Sequence, residues 1–174
     1  MTISAGLRKV VLAVHLTLSV GWIGAVAAYL ALDVTVATSQ DSQTLLAAYL
    51  GMESVARYVI VPLAVASLLS GLVMSLGTKW GLFRHYWVLI SLVLTLIATA
   101  ILLVETRVIR SLADMAADPA TSGGNLRAMP STLVHSVGGI VVLLVVLVLN
   151  VYKPQGLTRY GWRQQQRRAP SRRY

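Results

Sequence analysis

The sequence contains no cysteine, which excludes disulfides, thiolate metal ligands and a cysteine nucleophile. Charge is nearly as scarce. Lys, Arg, Asp and Glu make up 12% of the 174 residues, where a soluble domain carries about a quarter. Four apolar runs, roughly residues 10–32, 58–76, 86–104 and 133–151, hold none of these residues. The runs therefore supply no carboxylate or lysine to relay protons or couple an ion gradient. Also missing are a nucleotide-binding glycine loop, an HExxH pair and a GxSxG elbow, which argues against phosphoryl and acyl transfer. There is no pair of broken helices or inverted repeat of the transporter kind. The five methionines are scattered, so they form no copper track.

What remains is apolar: 56% of the residues are hydrophobic. Each run approaches the ~20 residues that carry a helix across ~30 Å of hydrocarbon. The expected fold is all-α, an integral membrane four-helix bundle. Residues 1–162 would form one four-span domain and 163–174 a basic tail. Tyr58, Trp80, Tyr86, Trp87 and Tyr152 mark the interfaces, where amphipathic rings settle. Pro62 falls near the start of the second span, where a missing N–H costs least. Glu53 and Arg57, at i and i+4, share a helix face ahead of that span. That stretch is either an interfacial helix or an extension of the span. The later loop, with Asp118-Pro119 and Gly123-Gly124, is expected to be irregular.

Orientation follows from the basic residues. Arg8 and Lys9 precede the first run, and Lys79 and Arg84 sit in the short middle loop. Seven of the fifteen Lys and Arg residues lie from Lys153 onward, and no acid follows Asp118. The N-terminus, the middle loop and the C-terminus are therefore expected in the cytoplasm. The net charge of +9 reads as a topology and anionic-headgroup signal at the tail, with no nucleic acid implied. Arg8-Lys9, an apolar stretch and Ala25-Val26-Ala27 imitate a signal peptide. The run continues to Leu32, so an uncleaved first span is expected.

Histidines are the first candidates for chemistry. His15 lies about 9 Å along the helix from Lys9, and an ionisable group at that depth is a functional candidate by default. Ser19 and Trp22 share its helix face, with Gly21 and Gly24 beside them, small enough to admit a helix or a flat cofactor. A neutral imidazole ligates haem iron, copper or zinc. Alternatively, His15 donates to a backbone carbonyl or a Ser/Thr of a neighbouring helix. His135, before Gly138-Gly139, is the second candidate, roughly 15 Å from His15 along the bundle axis. His85 and Met74 lie nearer the level of His15 and make geometrically easier partners for it. Ser91, Thr95 and Thr99 line one face of the third span. Ser67, Ser70 and Gly71 do the same on the second, as expected of helix contacts and interhelical hydrogen bonds or, alternatively, of a polar lining for a ligand pocket.

The segment VHLTLSVGWIGAV, with His15, Trp22 and Gly24, resembles the first span of the copper resistance protein D membrane domain and of HemJ-type protoporphyrinogen oxidase. In the latter, the first-span histidine is implicated in binding haem b. HemJ-type proteins carry a third-span lysine after a Trp; here Trp87 is followed by Ser91 and no lysine. WGLFRHYWVLISLVLTLIATAILL, LVHSVGGIVVLL and VYKPQGLTRYGW resemble an uncharacterised four-span bacterial family common in actinobacteria. That resemblance implies the bacterial inner membrane. It also implies that Tyr152 to Trp162 folds against the cytoplasmic face.

The leading expectation is thus a protein binding haem b or a related redox cofactor or metal through His15. The pool of site residues is His135, His85, Met74, Trp22, Gly21 and Gly24, for electron transfer or haem handling, with a quinone as a possible partner. The alternatives are a non-enzymatic subunit or assembly partner of a larger complex, and a metal or small-molecule permease. For the permease, a homodimer could complete a pathway that one chain lacks.

Overall fold

A computed structural model of the chain describes residues 4–77, 81–118, 120–121 and 123–168. Lys79, Trp80, Pro119 and the tail from 169 lie outside the described residues. The fold is all-α. Four helices are long and apolar enough to cross a membrane, which makes this a multi-pass membrane protein. Helix α1 is Ala5–Thr38; α2, Ser42–Val55, continues through a π-turn, Ala56–Ile60, into α3, Val61–Gly77. Then come α4 (Tyr86–Ala117), the short α5 (Gly123–Arg127), α6 (Leu133–Tyr152) and α7 (Arg159–Arg168). Helix α1 packs against α2–α3 and α6; α4 packs against the same two from the other side, so α1 and α4 are diagonal. Leu69, Val134 and Val148 are among the many large apolar side chains exposed on the outside, as lipid contact requires.

Three of the long helices outrun the expected spans, and only α6 keeps its expected length. The stretch before Tyr58 is an extension of the second span. Pro62 accordingly lies inside one continuous helix of 36 residues, not near its start. A proline there withholds a donor and crowds the preceding turn; the widened π-turn beside it accommodates both. Of the loop expected to be irregular, Asp118 and residues 120–121 are outside any helix, but α4 runs to Ala117 before it and Gly123 opens α5 after it. Ile109, Leu112, Ala113 and Ala116 recur at helical spacing and are buried. They face Leu45, Ala48, Tyr49 and Met52, the buried residues of α2. Leu126 of α5 closes this apolar cap, and the Arg127 guanidinium donates to the Gln40 carbonyl.

The acids are confined to one end, which also carries Arg57, Arg107, Arg110 and Arg127. All six acids (Asp33, Asp41, Glu53, Glu105, Asp114 and Asp118) lie toward the α1–α2 and α4–α5 turns. The opposite end has Arg8, Lys9, Arg84, Lys153, Arg159 and Arg163 and no acid. At this basic end, the segment after α6 is tied to the loop before α4. Tyr86 N–H donates to Gly156 O (3.3 Å) and Thr158 N–H to Arg84 O (3.0 Å). Residues 163–168, assigned from sequence to the tail, belong to α7.

Candidate functional site

The face of α1 that carries His15 continues with helical spacing through Ser19, Trp22, Val26, Tyr29 and Asp33. Its two ends do different things. Near the basic end, His15 Nδ1 donates to Ser70 Oγ (3.0 Å) on α3, and the Ser19 and Ser67 hydroxyls bond at 2.8 Å. The Ser70 hydroxyl gives its own proton to Ser67 O (3.0 Å), so Nδ1 of His15 is the donor. In the neutral ring, Nε2 is then the lone-pair nitrogen. The ring rests on Gly71, where a Cβ would stand 3.0 Å from Cε1. This is the interhelical contact open to a buried histidine, and also the anchored tautomer that ligating imidazoles adopt.

The other sequence candidates are dispersed. Trp22 is buried in the core. Gly21 admits Leu63, which a Cβ would meet at 3.6 Å, whereas nothing lies within 4 Å of a Cβ at Gly24. Met74 is one turn beyond Ser70 on α3, about 6 Å along the axis. His85 pairs through its backbone with Leu157. His135 stands at the opposite end of the bundle. A Cβ on Gly139 would meet Val26, so the two residues stand at the same level of α6 and α1. His135 then lies about 22 Å from His15 along the axis, more than the roughly 15 Å read from sequence, and the two rings occupy separate sites. Among the described residues, no three His, Asp or Glu side chains gather as a metal cluster.

What the structure assembles around His135 is a polar layer that the sequence reading missed. His135 Nε2 lies 3.4 Å from Glu105 Oε1. Thr132 Oγ1 donates to Asp33 Oδ1 at 2.6 Å. Its proton thus spent, it accepts from Tyr29 OH at 3.2 Å. Asp33 is only 1% exposed, and neither its Oδ2 nor the buried Tyr49 hydroxyl has a partner among the described residues. Thr132 is the N-cap of α6, yet its side chain caps nothing; it serves Asp33 instead. The positive end of the α6 dipole faces this carboxyl. The expectation of no carboxylate among the helices is therefore corrected. Asp33 and Glu105 sit just beyond two charge-free runs, and the helices extend past those runs, burying Asp33 and half-burying Glu105.

Below this layer, α4 and α6 part. They are joined at the basic end by Asn150 Nδ2 donating to Ser91 Oγ (3.2 Å) and at the other by Glu105 and His135. Between lies a cleft of about 290 Å³, floored by Trp22, Val26, Tyr29, Ala56 and Ile60. It runs about 16 Å along α4 from Glu105 to Leu94. Its rim includes Val134, 81% exposed, Ile97 and Ile101, so it opens sideways toward lipid. Gly138 and Gly139 line it, and nothing lies within 4 Å of a Cβ at Gly138. The Thr95 and Thr99 hydroxyls, expected to bridge helices, donate to carbonyls one turn back on α4. Hydroxyls commonly do this when no neighbouring acceptor approaches.

The missed residues had a sequence signal. Extending the His15 face by its own spacing reaches Tyr29 and Asp33 directly. Glu105 carried none, because its burial depends on α6. Compared with protein-family models, with curated proteins and with solved structures, the chain matches none, so the resemblances drawn from sequence rest on the residues quoted for them.

Proposed function

We propose that this chain binds a membrane-dissolved, amphipathic redox carrier of the quinone class in the cleft between α4 and α6. The observation that carries this is the cleft itself: apolar along its length, open to the side, and ending in Glu105, His135, Thr132 and Tyr29. An isoprenoid body would leave through the open side into lipid. The head would meet hydrogen-bonding groups at the polar end. Two carboxyls, Glu105 and Asp33, disfavour an anionic head such as a fatty acid or a phosphate. A hydroxyl can donate to Glu105, and a carbonyl can accept from His135. The protein supplies orientation and a dry pocket, and the carrier supplies the redox chemistry. The basic end faces the cytoplasm by the distribution of Lys and Arg, and its tail meets anionic headgroups.

Trp22, in the cleft floor, reports on occupancy. A short-chain quinone titrated into the protein in nanodiscs should quench Trp22 fluorescence saturably, with Trp22→Phe as the blank. Gly138→Leu, which fills the cleft, should abolish the saturable part. Linear quenching that is identical in Gly138→Leu would sink the proposal.

A second reading keeps haem b at His15, favoured by the Nδ1 anchor on Ser70. The residues fit a single imidazole ligand, with Met74 next by register; His85 and His135 are placed elsewhere. Oxidised and dithionite-reduced absorption spectra beside His15→Ala decide it. A Soret band lost in that variant supports haem, and a flat spectrum from protein made with ample haem removes it. A colourless protein with an empty cleft would point to a membrane subunit, sought by mild-detergent co-purification.

A further inference from the structure

At the basic end, α7 is a built element. The Thr158 hydroxyl donates to Phe83 O (2.5 Å) and accepts from Gly161 N–H (3.1 Å). Thr158 O accepts from Trp162 N–H (2.9 Å). A Cβ on Gly161 would stand 2.4 Å from the Arg84 carbonyl oxygen, so α7 approaches the loop before α4 as closely as backbone permits. This fixes Arg159 and Arg163, one turn apart, over a hollow of about 470 Å³ lined also by Tyr86, Leu157, Trp162 and Gln166.

Two observations identify what the hollow takes. First, all six acids are at the other end of the molecule. Among the described residues, neither Arg159 nor Arg163 has an ion pair. Two guanidiniums at i and i+4 then present a paired donor set suited to phosphate oxygens. Second, Phe83, Tyr86, Tyr152, Tyr160 and Trp162 are all exposed at this end. Exposed aromatics in such a belt mark the headgroup level of a bilayer. A basic helix with aromatic residues, held at that level, lies in the interface plane.

We infer that Arg159 and Arg163, with Trp162 and Tyr86 beside them, form a binding site for the phosphate of an anionic phospholipid. This deepens the reading that the basic end meets anionic headgroups, and rests on it; it is independent of the cleft. The guanidiniums hold the phosphate, Gln166 offers a further donor, and the rings lie against the glycerol and the upper acyl chain.

The test is lipid retention by the full chain in native mass spectrometry, with phosphatidylglycerol and phosphatidylcholine offered in equal amounts. The wild type should retain phosphatidylglycerol preferentially. Arg159→Gln/Arg163→Gln should lower that preference about 30-fold, at the usual worth of two basic residues near an anionic surface. The charge-matched control Arg172→Gln/Arg173→Gln, in the part of the tail outside the described residues, should stay within about twofold of wild type. An equal loss in both pairs overturns the site and leaves only diffuse attraction. Equal retention of the two lipids in wild type overturns the headgroup reading as well. Displacement of the lipid by millimolar inorganic phosphate would show a soluble-anion site and overturn the lipid assignment.

Discussion

Replacing Thr132 by Val tests the polar layer at its centre. The swap is nearly isosteric, so it opens no cavity, but it deletes the hydroxyl that Asp33 and Tyr29 share. Asp33 Oδ2 has no partner among the described residues, and Oδ1 is held by Thr132 alone. The variant therefore leaves a carboxyl that is 1% exposed without a side-chain partner, and strands the Tyr29 hydroxyl. A hydrogen bond to a charged group is worth about 1.5–3 kcal/mol, and an orphaned hydroxyl costs about 1–3 kcal/mol. The two overlap, because the freed groups can relax toward each other and the α6 N-terminus still faces the carboxyl. The expected destabilisation is about 3 kcal/mol. Reversible SDS unfolding in mixed micelles, followed by circular dichroism, measures it. Thr132→Ser, which keeps the hydroxyl, should stay within about 1 kcal/mol of wild type. Asp33→Leu combined with Thr132→Val should recover part of the loss, since removing both partners removes the unmet demand. A Thr132→Val cost below about 1 kcal/mol, or a Thr132→Ser cost as large as that of Val, would refute the reasoning.

Gly71→Ala places a methyl 3.0 Å from His15 Cε1 and should displace the ring from Ser70, costing about 1–2 kcal/mol in the same assay. Gly138→Leu, with open space at its Cβ, should leave stability within about 0.5 kcal/mol while blocking quinone quenching of Trp22. Gly161→Ala meets a backbone oxygen, so trypsin should cut within α7 faster than in wild type, with the spans equally protected. Asp41 caps α2: its carboxylate accepts from the Thr44 hydroxyl (2.7 Å) and N–H (2.9 Å). These bonds, the hydroxyl's first, hold its carboxyl below the usual 3.8. A lowered folded-state value means the cap contributes fully above pH 3.8 and fades as pH falls through the lowered value. Melting curves of wild type and Asp41→Ala should therefore differ at pH 6 and converge toward pH 2. A gap that persists at pH 2 would exclude the carboxylate as the cause.

Much of the architecture was legible because lipid imposes simple demands. A run without charge, about 20 residues long, has few folds other than a spanning helix. The serines at 67 and 70 were legible as interhelical contacts for the same reason: hydroxyls among apolar helices seek partners across the interface. Thr95 and Thr99 were not, since a hydroxyl can equally bond back to its own helix. Extension of the second span was one of two readings of the stretch before Tyr58, whereas the extended ends of α1 and α4 escaped a reading based on charge-free runs. Their outer turns are amphipathic, and α2 and α4 bury Tyr49 and Leu112 against each other although charged residues flank them.

The sequence by itself determined the number of spans, the confinement of the acids to one end and the absence of thiol chemistry. It also determined the helix face running from His15 to Asp33. These depend on residue type and helical period, which no partner can change. Only the tertiary structure decided which end of that face carries a cleft. It also decided that His15 and His135 stand at opposite ends of the bundle, that Asp33 is buried and that Glu105 is half-buried. Those outcomes depend on where α6 begins relative to α1 and α4. That register brings Thr132 to Asp33 and Tyr29 and places Gly139 beside Val26, residues roughly a hundred positions apart in the chain.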